Sequence, residues 1–106
     1  SRANRYLVLY RLENGLSKNR IGISVSKKVG NSVVRHHMCR LIRESYRLNE
    51  KSLKPGYDLV VVVRPLAKGR SYREIESALL HLMKLQNLVR ELSSENQDEK
   101  NLNRND

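Results

Sequence analysis

Tryptophan and phenylalanine are absent from the 106 residues, and the five aromatic side chains are all tyrosine. The single cysteine, Cys39, excludes an internal disulfide and a cysteine-built zinc site. It fits a reducing compartment such as the cytoplasm better than a small secreted scaffold. No aliphatic run is longer than Leu59 to Val63, whereas a spanning helix requires roughly 18 uninterrupted apolar residues, so no membrane segment is expected. No signal pattern of basic, apolar and small-residue segments opens the chain. Its first residue is Ser1 rather than Met, so a processed, tagged or incomplete N-terminus is expected. Acid is scarce: 11 Asp and Glu face 21 Lys and Arg, for a net charge of +10.

What acid there is crowds one end. Residues 91–106 hold five acidic and two basic side chains, leaving 19 basic and six acidic among residues 1–90. From Ser93 onward Leu102 is the one apolar residue, too little to offset the entropy of ordering, and a disordered acidic tail is expected over 93–106. Residues 1–92 then form one basic domain of ordinary size, with 39% of the chain hydrophobic and 30% charged. Charge of this magnitude argues about partners rather than fold, and the partners are polyanions: nucleic acid, an anionic membrane surface or an acidic protein.

The pattern along the chain reads β-β-α-β-α. Residues 5–12, Arg-Tyr-Leu-Val-Leu-Tyr-Arg-Leu, read as a strand, and Asn14-Gly15 as the turn after it. Arg20 to Ser26 alternates, with Ile21, Ile23 and Val25 on one face and Gly22, Ser24 and Ser26 on the other. This is a half-buried strand expected to run antiparallel to the first. Asn31 is the expected N-cap of a helix whose apolar row is Val34, Met38, Leu41 and Ile42, continued by Ser45 and closing at Leu48 or Asn49. Pro55-Gly56 makes a turn. Leu59 to Val63 is expected to be a strand covered on both faces, ended by Arg64-Pro65. Ser71-Tyr72-Arg73-Glu74 has the form of a capping box. Ile75, Ala78, Leu79, Leu82, Leu85, Val89 and Leu92 then predict an amphipathic helix to about residue 92. The fold class is α/β, a small mixed sheet with helices packed on it.

Ser26 to Arg47 carries most of the chemistry. Arg40, Arg43 and Arg47 fall at helical neighbour spacing, and Arg35 reaches Arg43 through Cys39, so the four share one broad face. Lys27 and Lys28 precede the helix N-terminus, whose free amides also favour an anion. A row of guanidiniums on a rigid rod suits successive phosphates; the competing reading is a solvated basic face. Glu44 alone opposes the four arginines before Glu50. By period two, Tyr6, Val8 and Tyr10 share one face of the first strand, and the small Gly22, Ser24 and Ser26 leave room beside them. Either a helix covers these tyrosines or bases stack on them.

Ser24-Val25-Ser26-Lys27-Lys28-Val29-Gly30-Asn31-Ser32-Val33-Val34-Arg35, followed by Arg40-Leu41-Ile42-Arg43-Glu44, resembles the signature of the bacterial ribonuclease P protein subunit. Ala3 to Tyr10 and Pro55 to Arg64 are similar to that family in the same order, and the resemblance spans about residues 3–90. It implies a small basic protein that binds a large catalytic RNA and with it cleaves the 5′ leader from precursor tRNA. It implies magnesium ions held by the RNA, a fold of the kind shared with a ribosomal-protein domain, and a left-handed β-α-β crossover against the usual right-handed rule. The RNA contacts it implies are Lys27, Lys28, Asn31, Arg35, Arg40 and Arg43; His36 and Arg47, on the same helix, complete the candidate RNA-binding residues. The implied leader cleft involves Val8 and Tyr10, to which the strand alternation adds Tyr6 as a candidate. The chain departs from the family pattern at His36, His37 and Cys39, which replace polar or cationic residues and imply weaker RNA affinity at neutral pH. The family starts with a helix, whereas this sequence begins at about the first strand, so that helix is expected to be either missing or not included.

Other chemistries fit less well. His36 and His37 point about 100° apart on a helix and do not chelate one ion. His81 reads as a helix-surface residue and Cys39 as an inert thiol. Asp58, Glu13, Glu44, Glu50, Glu74 and Glu76 are too scattered for a protein-only nuclease, so no catalytic residue is assigned. A structural RNA-binding protein such as a ribosomal component is the alternative function. Neither helix has the bulky exposed apolar face of a membrane-surface binder.

Overall fold

The computed structural model describes residues 1–89. The expected acidic tail, and Leu92 with it, lies outside them. Four strands and two helices follow one another as β1 (Arg2–Ala3), β2 (Leu7–Glu13), β3 (Arg20–Val25), α1 (Ser32–Asn49), β4 (Tyr57–Val63) and α2 (Tyr72–Leu85), with short 3-10 turns at Glu50–Ser52 and Pro65–Ala67. The mixed α/β class and the β-β-α-β-α succession of the main elements are as the sequence predicts. The two-residue β1 is additional, and the first long strand begins at Leu7 rather than residue 5.

Strand order is β1-β2-β4-β3. β2 runs opposite to β3, as the sequence predicts, but does not pair with it. Instead β4 lies between them, antiparallel to β2 and parallel to β3. The reason is visible at the turn. The Asn14 amide donates to the Gly56 carbonyl at 2.9 Å and its side chain donates to Asp58, so the chain leaving β2 docks across the end of β4 before β3 begins. Parallel neighbours need a long crossover, and α1 supplies it.

Both helices pack on one sheet face. Leu7, Leu9, Leu59, Val61 and Val63 from the sheet meet Met38, Ile42 and Tyr46 of α1 and Ile75, Leu79, Leu82 and Met83 of α2 in a single core. Burying each such side chain contributes roughly 1.5–3 kcal/mol. α1 lies against β3, while α2 lies against β1 and β2. The opposite sheet face is open. This corrects the expectation that Leu59–Val63 is covered on both sides: Val60 is 41% exposed and Val62 half-buried. Leu59, Val61 and Val63 are buried against the helices, and Val60 and Val62 alternate onto the open face.

Asn31 and Ser71 cap the helices as the sequence predicts, the latter with Glu74 in a complete capping box. The second helix ends at Leu85 rather than near residue 92. Asn87 adopts a left-handed φ of 59°, and the Leu88 amide turns back to the Met83 carbonyl at 2.9 Å. Leu88 thereby enters the core, and Val89 bridges to Leu53.

Candidate nucleic-acid interface

The segment between β3 and α1 is compact for local reasons. Ser26 Oγ accepts the Lys28 amide, Val29 is buried, and the Asn31 side chain accepts the Val34 amide at 3.0 Å. Gly30 has no room for a side chain, since a Cβ there would sit 2.7 Å from a Val34 methyl. Lys27 and Lys28 are thus left exposed beside a helix N-terminus whose first turn holds no acid.

Along α1, Val34 and Leu41 pack toward the core, and His37, Arg40, Leu41 and Glu44 share a depression with Tyr72 of α2. At about 100° per residue, Arg35, Cys39 and Arg43 form a row on the flank turned away from α2. Tyr46 lies on this side as well. Burial, and then the Glu50 charge, push its hydroxyl above the ordinary tyrosine pKa, with Asn19 just ahead of β3 opposing them. The row therefore runs along the β3 edge. His36, Arg40, Arg43 and Arg47 are exposed, and Arg35 is half-buried. Arg47 is ion-paired with Glu44. Among the described residues Arg35, Arg40 and Arg43 have no carboxylate partner. The Arg35 Nε is shielded from solvent without an acceptor, a donor that costs free energy until something accepts from it.

Beyond the β3 edge lies the open sheet face. Strand register aligns Val8, Val62 and Ser24 in one row, and Tyr10, Val60 and Gly22 in the next. Tyr10 is 49% exposed, and Gly22 and Ser24 carry little bulk. The result is a shallow apolar floor with one aromatic ring, beside a cationic helix flank. Val60 and Val62 belong to this floor and were not singled out in the sequence; only the central position of β4 brings them there.

Tyr6 does not join Val8 and Tyr10, correcting the shared-face reading. It precedes β2, and the Asn4 side chain accepts its amide at 3.1 Å. Its ring instead lines a depression against Arg73, Ser77 and His81 of α2. Period two holds only within the strand, and Tyr6 lies outside it.

Among the described residues no group of three or more His, Cys, Asp and Glu is placed to hold a metal ion, and no helix is long and apolar enough to cross a membrane. Several of the carboxylates are engaged within the protein. Asp58 is bound by Arg20 and Asn14, Glu74 by Ser71 and Arg70, and Glu76 by Asn49 and Tyr72.

A family model described as Ribonuclease P matches residues 1–87. The ribonuclease P protein component of Lachnoclostridium phytofermentans is 61% identical over 87 residues, covering 82% of this chain and 75% of that protein. The same component of Alkaliphilus oremlandii is 54% identical over 89 residues, covering 84% and 78%. The chain belongs to the ribonuclease P protein family. Solved ribonuclease P proteins share the architecture. That of Staphylococcus aureus superposes with a TM-score of 0.76 at 35% identity, covering 83% of this chain and 81% of that one. That of Thermotoga maritima gives 0.74 at 30% identity, covering 78% and 79%. In this ribonuclease P protein, then, the arginine flank and the open sheet floor are neighbouring features of a family fold.

Proposed function

We propose that this ribonuclease P protein associates with the RNA of the holoenzyme through α1 and the turn before it, and guides the single-stranded 5′ leader of precursor tRNA over the open sheet face. Lys27, Lys28, Asn31, Arg35, His36, Arg40, Arg43 and Arg47 are assigned to RNA, and Val8 and Tyr10 to the leader. Phosphate contacts from the helix fix register, while stacking on Tyr10 and apolar contact with Val60 and Val62 accept bases without regard to sequence. The observation that carries this reading is the orphaned Arg35 Nε in a row of guanidiniums free of protein carboxylates, which a phosphate oxygen satisfies. Bond cleavage is assigned to the RNA and its magnesium ions, and no step passes through side chains of this chain. The cytoplasm, where tRNA is transcribed in bacteria, is the proposed compartment.

Reconstitution tests this reading. At magnesium levels where a bacterial ribonuclease P RNA alone is slow, adding the protein is expected to restore removal of the 5′ leader. No gain over RNA alone overturns it.

A further inference from the structure

At the opposite edge of the sheet, α2 and the segment ahead of β2 border an open depression of about 480 Å³ whose lining includes Asn4, Arg5, Tyr6, Arg73, Ser77 and His81. A second depression of about 580 Å³ adjoins it, sharing Arg73, Ser77 and His81 and reaching Lys84. Together they form a groove along the exposed side of α2, each part within the usual size of a ligand site.

The groove is built rather than incidental. Asn4 Nδ2 donates to the Ala78 carbonyl at 2.9 Å, while its oxygen accepts the amides of Tyr6 and Leu7, fixing Tyr6 against α2. The guanidinium carbons of Arg5 and Arg70 each stand 6.0 Å from the Tyr6 ring centre. Two carboxylates also line the groove, and both are engaged. Glu74 accepts the Ser71 amide and faces Arg70 at 3.7 Å, and Glu76 accepts from Asn49 and Tyr72. Arg5 and Arg73 have no carboxylate partner among the described residues.

We propose that this groove is a second RNA-binding site, taking a single-stranded segment with a base against Tyr6 and phosphates on Arg5, Arg73 and Lys84. A cationic track beside an aromatic platform is the usual chemistry of single-strand recognition. An acidic peptide would satisfy the cations but has no use for the ring. Because β1 and β3 are opposite edges of the sheet, the groove and the arginine flank can hold separate RNA segments at once. The proposal does not depend on the role given to α1.

The test is an anisotropy titration of the full chain with fluorescent oligouridylate, in the native background and in Arg40→Ala/Arg43→Ala. Arg73→Glu, at an exposed position, is expected to lower affinity about fivefold or more in both backgrounds, and Tyr6→Leu similarly. Cross-links from 4-thiouridine are expected on Tyr6 or α2. Unchanged affinity for Arg73→Glu in both backgrounds overturns the proposal, even if Tyr6→Leu fails to fold. So does a glutamate-rich peptide that displaces the oligonucleotide as well as unlabelled RNA does. If Arg73→Glu weakens binding while the α1 variants do not, the groove stands and the α1 assignment falls; the reverse removes the groove alone.

Discussion

Arg20 and Asp58 face each other as register partners on β3 and β4 and are joined by two hydrogen bonds, Nε to Oδ1 at 2.7 Å and Nη2 to Oδ2 at 2.8 Å. Asn14 adds a third at 3.1 Å, so one carboxylate ties together the turn after β2, the edge strand and the central strand. The fork closes one end of the open sheet face. It also explains why Arg20, although cationic and beside the proposed leader path, is not counted among the free guanidiniums.

The Arg20 guanidinium, and after it the Asn14 amide, hold the Asp58 carboxyl down to about 2 from an ordinary 3.8. A carboxyl depressed in the folded state stabilises fully above its unfolded pKa and loses that contribution as pH falls through the folded one. The native chain is therefore expected to lose stability more steeply than Asp58→Asn between pH 3.8 and about 2. Urea midpoints measured across that window check this; parallel curves would remove the linkage.

The end of α2 gives a second prediction. Asn87 holds a φ of 59°, a conformation that costs a residue with a Cβ and no local hydrogen-bonding group roughly 1–2 kcal/mol. Asn87→Ala is expected to destabilise by about 1 kcal/mol, whereas Asn87→Gly stays at or above native stability. Equal stabilities for the two variants in urea unfolding would contradict the left-handed cap.

These two sites mark where sequence reading succeeds and where it stops. The helix starts were legible because capping is local: Asn31 and Ser71 sit within three residues of the amides they accept. The alternation of Ile21, Ile23 and Val25 was legible for the same reason. Strand neighbours were not. Asn14-Gly15 looks like a hairpin turn until its hydrogen bonds to Gly56 and Asp58 are seen, and those lie over 40 residues away. Val60 gave no sign of exposure because an unbroken valine run does not reveal which face the helices leave bare. The end of α2 was hidden because Val89 keeps helical spacing after Asn87 has already turned the chain. At the site, the arginine row was readable from spacing, whereas the isolation of Tyr6 depends on where β2 begins.

The arginines should differ in their response to salt. Each phosphate contact on single-stranded nucleic acid contributes about 0.7 to the slope of log affinity against log salt, and about 0.9 on duplex. Arg43→Ala is expected to flatten the slope for the ribonuclease P RNA by about one such increment. Arg47→Ala should change it less, because Arg47 already pairs with Glu44. An unchanged slope for Arg43→Ala would take that residue out of the interface.

The central claim is that the sheet face beside the arginine flank receives the 5′ leader. Its most direct test is the binding of leader-bearing and mature tRNA to holoenzyme reconstituted with Tyr10→Ala, a substitution at a half-exposed ring that supports no core contact. The preference for leader-bearing tRNA is predicted to fall about fivefold or more, the size of one lost stacking contact, with mature tRNA binding unchanged. Equal losses for both tRNAs, or no loss for either, would contradict the account.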